Sequence, residues 1–181
     1  MNKVLVCLIG ESASGKDSLA NLLEKEGYKV LKSYTTRSPR PNEYNTHIFI
    51  KPEEVIKYKN NMIAYTRIGE YEYFATYDQL KESDIYIIDP IGYYELKKKV
   101  KNVKLIPIYI NVSEQTRYKR ALQRINYDEK QKQEIDKRFI AEYDQFQKFR
   151  KNEEFYSIIN HNINKAVEII KKIIELEKEN K

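Results

Sequence analysis

Apolar and polar positions fall into two rhythms along this chain. Val4 to Ile9 (VLVCLI) is an unbroken apolar, β-branched run of strand length, the pattern of a strand buried on both faces of a parallel sheet. After a glycine-containing turn, Leu19, Leu22 and Leu23 recur at helical spacing, and Gly27 stands where a helix C-terminus is capped. Ile85–Ile88, Leu105–Ile110 and Tyr156–Ile159 read as three further strands. A final helix is expected from about Lys165, with Val167, Ile169, Ile170, Ile173, Ile174 and Leu176 as its apolar face. Strands alternating with helices predict a doubly wound α/β core.

Two stretches break the alternation. Residues 33–80 carry Pro39, Pro41 and Pro52 among short aromatic pieces (HIFI, EYEYFATY), and residues 124–138 (RINYDEKQKQEIDKR) are almost wholly polar. The first is expected to be a small inserted domain and the second a mobile, charged lid over a helix start, because polar segments bury little and open cheaply. The expected division is a core of 1–32, 81–122 and 146–181, an insertion of 33–80 and a lid of 123–145.

Composition narrows the class. At 181 residues one compact domain with appendages is expected. The net charge of +6 favours anionic partners, but basic residues are dispersed among acids with no basic block, so nucleic acid is not expected. Cys7 is the single cysteine and lies inside an apolar run, which excludes a disulfide framework and suggests a buried thiol. Only about six apolar residues precede Gly10, too few for a secretory or membrane segment, so a cytoplasmic location is expected.

The turn after the first strand reads GESASGKDS, a G-x-x-x-x-G-K pattern with Gly10, Gly15 and Lys16 between a strand and a helix. Glycines let successive N–H groups aim inward, and the helix N-terminus adds partial positive charge, so Gly10, Ser12, Ala13, Ser14, Gly15, Lys16, Asp17 and Ser18 form a candidate cradle for the phosphates of ATP. Lys16 would bridge the outer phosphates. Asp17 departs from the pattern, which normally places a Mg²⁺-ligating hydroxyl there. A carboxylate beside phosphate needs an intervening cation or must turn away. Two roles stay open for Asp17: approach to Mg²⁺, directly or through water, or an acid favoured in the first turn of a helix. Ser18 would bond an inner phosphate.

Residues 33–41, SYTTRSPRP, set Arg37 and Arg40 three apart on a proline-stiffened loop, so two planar guanidiniums can converge on one anion. The longer stretch SYTTRSPRPNE resembles the S-x-T-T-R-x-P-R-x-x-E signature of guanylate kinases, with the phosphate cradle at the matching distance upstream. The similarity continues collinearly through HIFIKPEEV, YFAT, IIDPIG, an arginine-bearing helix and FYSIINHNINKAVEIIKKII. It implies an ATP- and Mg²⁺-dependent kinase of GMP or dGMP, monomeric or homodimeric, with a P-loop-type parallel sheet, a nucleoside-monophosphate-binding insertion and a helical lid.

Residue by residue, the resemblance implies that Ser33, Arg37 and Arg40 grip the acceptor phosphate and that His47 stands where the family has a phosphate-contacting Tyr. Thr76 matches a base-contacting hydroxyl, Phe74 an aromatic neighbour and Asp89 a guanine-reading acid, although Asp89 also reads as a carboxylate ending a strand before the Pro90 turn. Ala64 falls where the family has a guanine-reading Glu, with Glu70 and Glu72 nearby but off register. Ile87 falls where a metal-proximal Asp is common. Arg120, Arg124 and Arg138 match lid or hinge arginines that would neutralise the transferring phosphoryl group, whereas Arg117 is expected on a solvated helix face; Asn160 matches a residue beside the donor adenine. Two other readings remain: a kinase of a different (deoxy)nucleoside monophosphate, and a non-catalytic binding module of the same fold.

Overall fold

In the computed structural model, which describes residues 3–39, 43 and 46–179, the long apolar runs become the inner strands of one parallel sheet. Its members are β1 (Lys3–Ile9), β2 (Val30–Leu31), β7 (Ile85–Ile87), β8 (Val103–Asn111) and β9 (Tyr156–Ile159), in the order β2-β7-β1-β8-β9. β1 at the centre pairs with β8 over its whole length, from Lys3 opposite Val103 to Ile9 opposite Tyr109. Because side chains alternate across a strand, β1 feeds two cores at once. Val4, Val6 and Leu8 meet α1 (Lys16–Lys25) and α6 (Ile163–Glu179) on one face. Leu5, Cys7 and Ile9 meet α3 (Pro90–Lys99) and the second half of α5 (Glu129–Asn152) on the other. This is why the strand reads as a continuous apolar run. Cys7 is a fully buried free thiol, and burial pushes it well above the usual thiol range.

Helix α1 stops where Gly27 adopts φ +95. Its N–H bonds the Glu24 carbonyl (3.1 Å) and the Tyr28 N–H bonds the Leu23 carbonyl (3.1 Å), the paired pattern that satisfies the last carbonyls of a helix. On α6 the buried stripe is Ala166, Val167, Ile170, Ile173 and Ile174; Ile169 and Leu176 are exposed, so the expected apolar face was drawn too wide.

The irregular region after β2 contains a second, four-stranded sheet in the order β4-β3-β6-β5, from β3 (Tyr34–Thr35), β4 (Ile48–Phe49), β5 (Met62–Ile68) and β6 (Tyr71–Thr76). A 3₁₀ segment, Pro52–Tyr58, leads into β5, and α2 (Tyr77–Glu82) returns the chain to the main sheet. β5 bulges between Ile63 and Thr66, where Ala64 is buried with φ +50.

The polar stretch 124–138 is mostly helical. α4 (Glu114–Arg124) ends in a turn with Asn126 and Tyr127 at positive φ, and the Asp128 carboxylate then caps α5 by accepting from the Gln131 N–H at 2.9 Å. Ile135 on α5 is buried with Ala121 of α4 and Ala13 of the glycine turn. Periodicity missed this helix because only one narrow stripe of it touches protein.

Phe149 is fully buried among rings, with centroids 5.6 Å from Tyr93, 5.5 Å from Phe155 and 6.4 Å from Tyr109. Replacing Phe149 by Ala is expected to cost about 3–5 kcal/mol, measured by urea unfolding; a loss below about 1 kcal/mol would show that these rings do not hold α5 to the sheet.

Candidate nucleotide-binding site

The turn between β1 and α1 is tight and partly left-handed. Ala13 (φ +61) and Gly15 (φ +96) both take the left-handed conformation, and the Ser14 N–H closes a tight turn onto the Glu11 carbonyl at 3.2 Å. A Cβ on Gly10 would lie 2.9 Å from the Ile110 carbonyl and the Ser14 hydroxyl, and one on Gly15 would lie 2.5 Å from the Asn160 amide nitrogen. Both glycines are therefore required by close approach. Asn160, buried after β9, donates its side-chain N–H to the Ser14 carbonyl at 2.8 Å, while its own N–H bonds the Asn111 carbonyl. The contact it makes here braces the cradle from behind.

Lys16 opens α1 and folds its ammonium over the loop, donating to the carbonyls of Gly10 (2.6 Å) and Glu11 (3.1 Å) and to the Ser14 hydroxyl (3.4 Å). Burial lowers its pKa below the usual lysine range, against the fields of Asp17, Glu142 and Glu11, which favour the charge. Asp17 and Ser18 lie exposed on the first turn of α1, whose N-cap is Gly15 with no side-chain cap. Among the described residues no group of three or more His, Cys, Asp or Glu could hold a metal by itself. The site nevertheless fits Mg²⁺, which is commonly held by one or two carboxylates with phosphate oxygens and water completing the shell, and Asp17 offers one beside the cradle.

The arginine loop forms a compact polar cluster. The Arg37 guanidinium, 9% exposed, makes a two-pronged pair with the Glu43 carboxylate at 2.8 Å on each arm, donates to the Tyr73 hydroxyl at 3.1 Å and lies over the Phe49 ring. A carboxylate in that fork has the planar geometry of a bound oxyanion. Ser33 and His47 share a hydrogen bond of 2.9 Å. Burial and the Arg37 charge lower the His47 pKa, so the ring is neutral near pH 7. Arg40 lies outside the described residues.

Electrostatics link the two motifs. The Asp17 charge acts on His47 and the Lys16 charge acts on Asp89, so cradle, arginine loop and the end of β7 lie within electrostatic range of one another. Asp89 caps α3, accepting from the Gly92 N–H at 2.9 Å, and burial raises its pKa above the ordinary Asp value. Thr76 caps α2: its hydroxyl accepts from the Gln79 N–H (3.3 Å), and the Gln79 side chain accepts from the Thr76 N–H (3.0 Å). Phe74 is fully buried between Tyr34 and Tyr58 and presents no surface to a ligand, so the aromatic neighbour expected from the sequence is part of the insertion's core.

Arg117, Arg120 and Arg124 fall at i, i+3 and i+7 on α4 and share one face. Arg120 donates to the Asn160 carbonyl at 3.3 Å, with one guanidinium nitrogen 3.9 Å from where a Gly15 Cβ would sit. The Arg124 charge acts on Lys16. Arg138 is half-buried on α5. The expectation for Arg117 is overturned: it is 7% exposed, donates to the carbonyls of Val112 (3.3 Å) and Ser12 (3.4 Å) and lies over the Phe139 ring at 5.0 Å. Its i, i+3, i+7 spacing with Arg120 and Arg124 is the sequence signal that could have placed it on the face they share.

Two further acids belong to the surroundings of the cradle. Glu11 is 8% exposed, and its carboxylate accepts from the Tyr109 hydroxyl (2.6 Å) and from Arg150 (2.6 Å). Burial works to raise its pKa, but those two hydrogen bonds and the charge of Arg117 outweigh it and hold the group below the usual carboxylate range. Glu142, on α5, accepts from both the N–H and the hydroxyl of Ser12. Only Glu11 carried a signal in sequence, its place inside the motif.

A G-x-x-x-x-G-K turn at the C-terminal end of the central strand of a parallel sheet, with an arginine loop beside a second sheet, is the pattern of P-loop nucleotide kinases. The guanylate kinase family model matches residues 2–177, and the chain belongs to that family. Among solved structures, guanylate kinase from Anaplasma phagocytophilum superposes with TM-score 0.66 at 18% identity, covering 97% of this chain and 86% of that one. The TT1252 protein of Thermus thermophilus matches with TM-score 0.55 at 14% identity, over 98% of each chain. An uncharacterised protein from Eubacterium ventriosum matches with TM-score 0.50 at 18% identity, over 96% of this chain and 99% of that one. No curated protein matches the sequence. No helix among the described residues is long and apolar enough to cross a membrane.

Because the folded-state pKa of Glu11 is depressed, its stabilisation is fully present above the ordinary carboxylate pKa of about 4.3 and is lost as pH falls through the lower folded value. Glu11→Gln is expected to be less stable than the parent by about 1–3 kcal/mol at pH 7. The gap should narrow below about pH 4, read from urea unfolding across pH. A gap independent of pH would mean that the carboxylate is not held as an ion by Tyr109 and Arg150.

Proposed function

We propose that this chain transfers the γ-phosphoryl group of ATP to a nucleoside monophosphate, with GMP or dGMP as the acceptor. The observation that supports the reading is a glycine turn with Lys16 folded over it whose Asp17 lies within electrostatic range of the Arg37–Ser33–His47 cluster.

Loop amides and Lys16 would hold the donor phosphates, with Ser18 on an inner one. Arg37 would exchange Glu43 for the acceptor phosphate, aided by Ser33, His47 and Arg40. Mg²⁺, held through Asp17, would supply charge neutralisation at the donor phosphates. Arg120, Arg124 and Arg138 on α4 and α5 would neutralise the charge spread over the moving group and exclude water as residues 123–145 close over residues 33–80. Positioning and electrostatics suffice, and no side chain acts as a covalent nucleophile. Asp89, at a strand end where open α/β sheets bind ligands, would read the guanine edge, with Thr76 beside it.

A second acceptor, another (deoxy)nucleoside monophosphate, is favoured by one feature. Ala64 is a buried residue at a bulge and offers no side-chain acceptor where the family has a Glu. A missing acceptor for a buried donor pair costs about 1–3 kcal/mol, enough to blunt guanine selection. A purely binding role is disfavoured by the intact Gly10–Gly15–Lys16 set, since a scaffold needs no phosphate cradle.

The deciding experiment is coupled ADP release with ATP and Mg²⁺ over all nucleoside and deoxynucleoside monophosphates, with GMP or dGMP expected to give the highest kcat/KM. Turnover of no acceptor would defeat the kinase reading, and preference for a different base would defeat only its guanine part. In the same assay Arg37→Ala should raise the acceptor KM at least about tenfold with the ATP KM unchanged. Asp17→Asn should lower turnover by about tenfold or more and raise the Mg²⁺ needed; unchanged turnover would reduce Asp17 to a first-turn helix acid.

A further inference from the structure

Helix α5 is fastened to the cradle at two points two turns apart. Arg150 holds Glu11, and Glu142 holds Ser12 through an N–H bond of 2.7 Å and a hydroxyl bond. The two fastenings differ in kind. Arg150–Glu11 is a buried ion pair shared with Tyr109, and it anchors α5 whatever the cradle holds. Glu142 instead brings a negative charge onto a loop whose amides and ammonium attract anions, and its charge acts directly on Lys16. A polyphosphate in the cradle and a carboxylate on Ser12 repel each other at this range.

The structure offers Glu142 a second seat. A cavity of about 260 Å³ lies beside the cradle, bounded by Glu11, Tyr109, Arg117, Phe139, Glu142 and Arg150. Arg117 points its guanidinium at the Ser12 carbonyl from 3.4 Å, so a buried cation stands next to the residue that Glu142 grips. The bonds Arg117 makes to carbonyls, at 3.3 and 3.4 Å, are long for a guanidinium and leave it suited to a carboxylate. Arg138 lies four residues before Glu142, on the same face of α5.

We propose that Glu142 competes with the donor polyphosphate for the cradle and, when displaced, moves to Arg117 across the cavity. The inference rests on the donor site proposed above. It explains why α5 is tied to the cradle at Ser12 by a group that a bound donor would repel.

The test is calorimetric titration of the full chain, in Mg²⁺ buffer, with ATP, with inorganic tripolyphosphate and with GMP. Glu142→Gln keeps an acceptor for Ser12 but removes the charge, and Glu142→Ala removes both. Both variants are expected to bind ATP and tripolyphosphate roughly tenfold more tightly than wild type, the order for removing one charge from about 10 Å at a surface-like dielectric, with GMP affinity unchanged within about twofold. The ATP KM should fall in both variants, with the GMP KM unchanged within about twofold. Arg117→Met should weaken ATP binding at least threefold more in the wild-type background than in Glu142→Gln. If wild type binds neither ATP nor tripolyphosphate, the donor site itself is wrong. If wild type binds them and neither Glu142 variant binds more tightly, or if Arg117→Met has the same effect in both backgrounds, the competing-carboxylate inference fails while the donor site stands.

Discussion

A tight turn with residues held at positive φ needs partners from outside itself, and much of this structure supplies them. The loop cannot be steadied from the inside, so it is steadied from behind. Asn160 holds the Ser14 carbonyl, the Lys16 ammonium bridges the carbonyls of Gly10 and Glu11, and Glu11 is locked by Tyr109 and Arg150. Each brace comes from a different part of the chain: the end of β9, the start of α1, the end of β8 and the second half of α5. The order of the parallel sheet is what brings these distant segments to the C-terminal end of β1.

Charge in the cleft is self-compensated. Arg37 lies in the fork of Glu43, Arg150 on Glu11, and Lys16 within the fields of Asp17, Glu11 and Glu142. Isolated buried charges would shift their pKa or destabilise the fold, so a cleft meant for anions must carry acids of its own. Some are permanent, as Glu11 is; others stand where an anionic guest would stand. That difference decides which acids tune binding and which only hold the scaffold, and it cannot be read from acidity alone.

The two halves of the molecule differ in how plainly they were written in the sequence. The parallel sheet was legible because β1 and the Leu105–Ile110 run of β8 are apolar on both faces, and both cores take side chains from them. α5 was not, since most of its surface is solvated and only Ile135, Phe146 and Phe149 are buried on it. β2 and β3, two residues each, are too short to carry a period. Phe74 was misread as a ligand neighbour because an aromatic beside a binding motif looks the same in sequence whether it lines a pocket or fills a core.

What the sequence alone determined is the chemistry that depends on neighbours along the chain: the glycine spacing and Lys16 of the cradle, the Arg37 loop, and the strand-turn-helix order that sets their context. These are local, because backbone conformation and helix-terminal charge are fixed within a few residues. Only the tertiary structure decided that Arg117 is buried at the cradle, that Asn160 braces Ser14, and that Glu142 reaches Ser12 across 130 positions. Those contacts join segments that share no periodicity, and burial and Coulomb forces act on distance in space, which sequence separation does not encode.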